Sequence, residues 1–258
     1  EGVFLKAAIT SGFTGEDSRF KAPYVWGIDL DKSVVDRWEQ ISLLSLFHGD
    51  KVKMNNHFYH QNGLLPLEER TLMYKNAEDG LHAYDAVVGN PPYGGVGLES
   101  ITPELEKALF DYFIWKRSVR KNTSSESDQL GLLERQSIGS KEKERLIKFP
   151  IEILFLDRFI QLAKPGGWIA IIIPDGILTN SNSHYVREFL SERTKVETII
   201  SLPRETFKDM GTNAKTSILF LRKLKDKEKP EQDNKVFLAS VEKINQEKYV
   251  HRKKTWIT

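Results

Sequence analysis

Asn90-Pro91-Pro92-Tyr93 sets an amide, two rigid imino acids and an aromatic ring in consecutive positions. An exocyclic NH2 conjugated to a ring is a poor nucleophile, because its lone pair is delocalised into that ring. Acceptors that hold its hydrogens favour the more pyramidal, more nucleophilic nitrogen. Asn90 Oδ1 and the Pro91 carbonyl are candidates for those acceptors. Pro91 and Pro92 restrict their own φ and bias the residue before each away from helix, so the carbonyl is aimed before a substrate arrives. Tyr93 offers a face on which a planar base can stack. Preorganised acceptors of this kind would be the chemistry of the site. The plain alternative is a proline-rich turn that only closes a strand.

The elements that must position this tetrapeptide follow from periodicity. Tyr84 to Gly89 is an apolar run directly before it and predicts a strand. Tyr24 to Leu30 predicts another, and Asp31-Lys32-Ser33 leads from it into a helical pattern through Val34, Trp38, Ile41 and Leu44. His57 to His60 reads as a short strand ending at Gln61-Asn62-Gly63. Ile151, Leu154, Phe155, Phe159 and Leu162 fall at helical spacing, and Lys164-Pro165-Gly166-Gly167 stops that helix before the central strand Trp168 to Ile173. Val196 to Leu202 and Thr216 to Leu221 read as a closing pair, with an irregular loop between them. Strands alternating with helices imply a parallel, doubly wound sheet whose ligands sit at the carboxyl ends of its strands. Gly2 to Ile9 opens like a helix with no strand before it, so the chain is expected to enter mid-motif and to extend beyond both ends in the natural protein.

Asn-Pro-Pro-Tyr after a buried strand resembles the catalytic motif of the amino-group methyltransferases, above all the adenine-N6 DNA methyltransferases. The resemblance runs from Glu1 to Lys223, and Pro174-Asp175-Gly176-Ile177-Leu178 with Thr216-Ser217-Ile218-Leu219-Phe220 look most like the modification subunits of type I restriction-modification systems and fused restriction-methylation enzymes. It implies a Rossmann-like α/β class I fold: a mostly parallel sheet with a closing antiparallel strand and helices on both faces. It implies S-adenosyl-L-methionine as cofactor and methyl transfer to N6 of adenine in double-stranded DNA by base flipping. Asn90, Pro91, Pro92 and Tyr93 would be catalytic, and Phe207 would contact the flipped base edge-on. Gly2 in Glu1-Gly2-Val3-Phe4-Leu5 resembles the end of the cofactor fingerprint. Asp29 stands where the family holds the ribose hydroxyls, with Leu30 packing on the cofactor's adenine, although Asp29 also suits a cap on the following helix. Asn62 is the candidate acceptor for the cofactor's amino group, and Asn-Gly is equally an ordinary turn pair. Phe155 matches the aromatic that packs on the cofactor's adenine, against simple core packing at the same spacing. Asp175 is left between a site residue and a turn cap.

Composition bounds these readings. The chain has 258 residues, 40% apolar and 29% charged, with a net charge of +2. That balance is too mild to demonstrate nucleic-acid binding and leaves room for a local basic face. No cysteine occurs, which excludes disulfides and thiolate metal sites, and the histidines show no metal spacing. No apolar stretch reaches spanning length, so neither membrane nor export is indicated and the cytoplasm is the expected location. The methyltransferase domain is expected over 1–223, its first strand and the start of its cofactor loop missing, with a polar insert at 121–143. Residues 224–258 read as a charged linker and C-terminal extension. A separate specificity subunit or target-recognition domain would supply the DNA sequence preference, with a restriction subunit as a further partner. Relatives that methylate a glutamine amide in release factors share the tetrapeptide and are the rival enzyme class; cytosine-N4 methylation is a weaker rival. A catalytically silent DNA-binding fragment is the rival outside catalysis.

Overall fold

The computed structural model describes residues 26–40, 58–65, 84–93, 98, 102–109, 112–115, 140–210, 213–231, 233–243, 248–251 and 254–257. Gly2 and residues 121–139 of the polar insert lie outside them. The chain divides into two compact units, 1–83 with 101–111, and 84–100 with 112–258.

In the first unit β1 (Gly27–Asp29) and β2 (Phe58–His60) pair in parallel, Asp29 opposite His60. α1 (Lys32–Gln40) begins where the sequence predicts. Asp31 is its cap: Oδ1 accepts the Ser33 N–H at 2.8 Å, while the Asp31 carbonyl accepts those of Val34 and Val35. These Ser33 hydrogen bonds lower the Asp31 carboxyl below its usual range. Val35 and Trp38 turn inward, and Trp38 packs on Phe58 with ring centroids 5.4 Å apart. α2 (Pro103–Leu109) has proline at its first position, where a missing N–H costs nothing, and Thr102 Oγ1 accepts the Leu105 N–H at 3.2 Å.

The second unit is built on a five-stranded sheet of order β3-β4-β6-β5-β7. Its strands are β3 (Tyr84–Gly89), β4 (Ala163–Pro174), β5 (Thr194–Ser201), β6 (Thr216–Lys223) and β7 (Phe237–Ser240). β3 and β4 are parallel, as are β5 and β7, whereas β6 runs against both β4 and β5. The predicted antiparallel pair is present as β5 and β6, but the reversed strand lies inside the sheet, not at its edge. Burial explains this place, because Thr216, Leu219 and Leu221 of β6 are completely buried and suit a strand covered on both sides. β4 is central as expected, with Ile169, Ile171 and Ile173 at most 1% exposed.

α3 (Ser140–Ile147) and α4 (Ile151–Leu162) precede β4. α4 is buried on most of its faces and packs on β3 and β4. Gly166, at φ +79°, lets the chain leave α4 through a short bulge that shifts the β3–β4 register between Tyr84 and Ala86. α5 (Gly176–Thr179) follows β4, and α6 (His184–Arg193) packs on β5 through Val186, Phe189 and Leu190. Among the described residues no helix is long and apolar enough to cross a membrane, and no group of three or more His, Asp or Glu could hold a metal ion.

Residues 224–258 contain β7 and a hairpin of β8 (Lys248–His251) with β9 (Lys254–Ile257). β7 gives little signal in sequence because it has four residues and leaves Phe237 and Leu238 65% and 70% exposed, so no half-buried alternation marks it. Just after β6, both Glu228 oxygens accept from Arg222, at 2.6 and 3.1 Å, and the Lys225 amide donates to one of them at 2.7 Å. The Arg222 hydrogen bond leads in holding the Glu228 carboxyl down at about 2. A depressed carboxyl contributes stability above its unfolded value and loses it as pH falls toward the folded one. Glu228→Gln is therefore expected to flatten the fall in Tm on acidification from about pH 5 to about pH 3, read by circular dichroism.

Candidate active site

Asn90 follows the last residue of β3, at the carboxyl end of the strand. Asn90 and Pro92 are exposed, Pro91 is buried and Tyr93 half-buried, so the turn is anchored through one proline and presents its amide outward. Beneath it lies Phe159 of α4. A Cβ on Gly89 would come within 2.7 Å of Phe159 Cζ, closer than packed carbons tolerate. Only glycine lets that ring lie under the motif. Gly89→Ala is expected to destabilise the protein by about 1–3 kcal/mol, measured by urea unfolding.

Phe155, one helical turn nearer the start of α4, meets Phe159 edge-on with centroids 6.4 Å apart and planes at 89°. α4 runs opposite to β4, which follows it directly. The Phe155 ring is therefore carried toward the level where β3 ends, half-buried where a pure core residue would be closed off.

Burial raises the Tyr93 pKa, and the neighbouring Asn90 side chain opposes that rise. Phe207 stands against Tyr93 at 6.3 Å between centroids, with the planes at 69°. It sits at a break inside the turn segment Arg204–Met210, with φ −116° and ψ 17°. The structure thus brings Tyr93 and Phe207 together from segments more than a hundred residues apart in the sequence. A base sandwiched by two rings needs contacts of about 3.5 Å on each side and parallel planes. The tilted pair leaves no such slot, so a base lying on Tyr93 meets Phe207 by its edge or displaces it.

The other predicted residues belong to the first unit. Asp29 ends β1, half-buried, and its Oδ1 accepts the Asp31 N–H at 2.8 Å. The helix cap is Asp31, so the capping alternative for Asp29 reduces to this local turn. Leu30 is 66% exposed, and its carbonyl bonds His60 Nε2 at 3.0 Å. Asn62 Oδ1 accepts the Leu64 N–H at 3.0 Å, the local turn its sequence allows.

Asp175, left open in sequence, does not cap α5 with its side chain. Oδ1 instead accepts the Ser217 hydroxyl at 2.7 Å, across to β6, and the Asp175 N–H donates to the Lys215 carbonyl at 2.9 Å. Lys215 Nζ donates to the Leu202 carbonyl at 2.6 Å. No sequence signal marks these contacts, because they depend on the register that sets Ile173 opposite Ser217.

A largely co-directional sheet with one reversed strand set between β4 and β5, and Asn-Pro-Pro-Tyr at a strand's carboxyl end, is the α/β arrangement expected from the sequence. The family model of the N-6 DNA Methylase matches residues 139–257, from ahead of α3 to the end of β9. The type II restriction enzyme and methyltransferase RM.Eco57I of Escherichia coli is 27% identical over 144 residues, covering 55% of this chain and 11% of its own. Among solved structures, the type IIG restriction endonuclease BpuSI is 22% identical with a TM-score of 0.46, over 86% of this chain and 21% of that one. The type I restriction-modification methyltransferase subunit of Streptococcus thermophilus is 18% identical with a TM-score of 0.44, over 90% and 39% respectively. This chain therefore spans about a tenth of the curated relative it matches. The stretch matched to the N-6 DNA Methylase family model is a little under half of this chain. Phe155 and Phe207 fall inside the matched stretch, while Asn90 to Tyr93 precede it.

Proposed function

We propose that the protein transfers a methyl group from S-adenosyl-L-methionine to N6 of adenine in double-stranded DNA, with the base flipped out of the helix, within a restriction-modification system. The observation that carries this reading is the Tyr93–Phe207 ring pair beside the outward-facing Asn90 amide at the end of β3. An amide acceptor alone would suit many amines; an acceptor flanked by two rings suits an amine on a flat heterocycle. Asn90 Oδ1 and the Pro91 carbonyl take the N6 hydrogens, Pro91 and Pro92 keep that carbonyl fixed, and Tyr93 holds the ring by its face while Phe207 bounds it. Contacts of this kind contribute about 1–3 kcal/mol per stacked base, which offsets the cost of unstacking.

Each unit by itself offers residues of the types the cofactor needs. Asp29 uses one carboxylate oxygen on its own turn and keeps the other for a ribose hydroxyl. In the same unit Leu30 is open to cover an adenine face and Asn62 Oδ1 has a second lone pair; in the other, Phe155 of α4 is half-buried. Gly2, the remaining cofactor candidate, lies outside the described residues. When bound, S-adenosylmethionine supplies a methyl group already made electrophilic by its sulfonium. The chain's part is to orient the amine for in-line displacement and to exclude competing geometries. DNA is the partner through Tyr93 and Phe207, and a specificity subunit or target-recognition domain, with a restriction subunit, supplies sequence choice.

The test is methyl incorporation from labelled cofactor into unmethylated plasmid DNA and, in parallel, into release-factor protein. Label recovered as N6-methyladenine is the expected result. Label in protein alone would transfer the assignment to glutamine methylation, label in N4-methylcytosine would exclude adenine, and absence of cofactor binding by calorimetry would mark a silent module.

A further inference from the structure

We infer that Lys215 is a positioning residue that clasps the Phe207 loop shut and so sets Phe207 against Tyr93; this rests on the reading of Phe207 as the residue that bounds the flipped base. The loop leaves β5 after Ser201 and returns at Thr216. Both backbone groups of Leu202, a residue only 8% exposed, are held by the returning limb. Its N–H donates to the Thr216 carbonyl at 2.9 Å, and its carbonyl accepts Lys215 Nζ at 2.6 Å. Lys215 is half-buried, and an ammonium donor makes a stronger bond than a neutral one. Lys215 makes this bond to a carbonyl with no ion pair to a carboxylate among the described residues.

Lys215 is itself fixed from behind. Its carbonyl accepts the Asp175 N–H at 2.9 Å, and Asp175 Oδ1 accepts the Ser217 hydroxyl at 2.7 Å, so the end of β4 locks the returning limb on both sides of Thr216. On the outgoing limb, the Pro203 carbonyl accepts both the N–H and the hydroxyl of Thr206, at 3.1 and 2.6 Å, and this turn delivers Phe207. With the neck closed, the angle of that turn is transmitted to the ring. With Lys215 Nζ removed, the Leu202 carbonyl loses its partner and the neck is held by one backbone bond.

Lys215→Met keeps the length of the side chain and removes the donor, and Lys215→Arg restores a donor. Amide hydrogen exchange over residues 202–207 is expected to accelerate at least ~10-fold in Lys215→Met and to stay near wild type in Lys215→Arg. This readout does not depend on activity, so it stands even if the methylation assay overturns the function. Where DNA is methylated, Lys215→Met is expected to lower kcat by ~10- to 100-fold with cofactor affinity unchanged. Its effect should not multiply with that of Phe207→Ala, because both act through one ring. Unchanged exchange in Lys215→Met would overturn the clasp. So would multiplicative effects in the double variant, or a loss confined to DNA affinity with a shallower salt dependence, which would make Lys215 a phosphate contact.

Discussion

Asn90→Ala is expected to lower the methyl-transfer rate by roughly 100- to 1000-fold while leaving the fold and cofactor binding intact. The magnitude follows from removing one preorganised partner of the reacting group, where the loss is felt mainly in the transition state. The fold should survive because Asn90 is exposed, and surface substitutions of this kind usually change stability by less than about 0.5 kcal/mol. Steady-state kinetics with plasmid DNA, a thermal melt and a cofactor titration on the same variant separate these effects. Asn90→Asp retains an acceptor and should recover part of the lost rate. A variant lacking the amide that methylates at the wild-type rate would remove Asn90 from the chemistry.

Asp157→Ala is expected to produce the largest loss of stability, about 3 kcal/mol in urea unfolding. Asp157 is 1% exposed on α4, where Oδ2 accepts the Ile114 N–H at 2.9 Å and Oδ1 accepts Gln161 Nε2 at 3.2 Å. Truncation removes an acceptor from two buried donors, and Ile114 is itself completely buried. Asp157→Asn retains one acceptor oxygen and should cost less. Burial raises the Asp157 carboxyl above its ordinary range in spite of these hydrogen bonds. The folded state therefore holds the proton more tightly than the unfolded chain. The associated stability is full below the unfolded value and is lost as pH rises through the raised folded one. Asp157→Asn should remove that part of the pH dependence. Close by in charge terms, Lys223 is drawn down to about 8, chiefly by burial and then by Arg193.

The local elements were legible in the sequence where one segment carried its own instructions. β1, α1, β3 and α4 stand where apolar period and caps place them, whereas β4 begins at Ala163 and takes in the Lys164-Pro165-Gly166-Gly167 segment expected to precede it. The tetrapeptide at the end of β3 was legible for the same reason, since two prolines and a preceding apolar run define a strand-end turn by local sterics. Asp31 against Asp29 as the cap of α1 was not decidable, because both residues are aspartate near the helix start and only backbone geometry chooses between them.

What the sequence by itself determined was the inventory: an amide, a fixed carbonyl and rings of the right types, each on a predictable element. Tertiary structure alone decided which of them meet. Tyr93 and Phe207 touch because β6 runs back between β4 and β5, and strand order is set by burial of whole faces, which no single segment encodes. Gly89 matters because a ring from α4 occupies the space its side chain would fill. Asp175, Lys215 and Ser217 join through cross-strand register, a relation between residues whose separation along the chain carries no periodic signal.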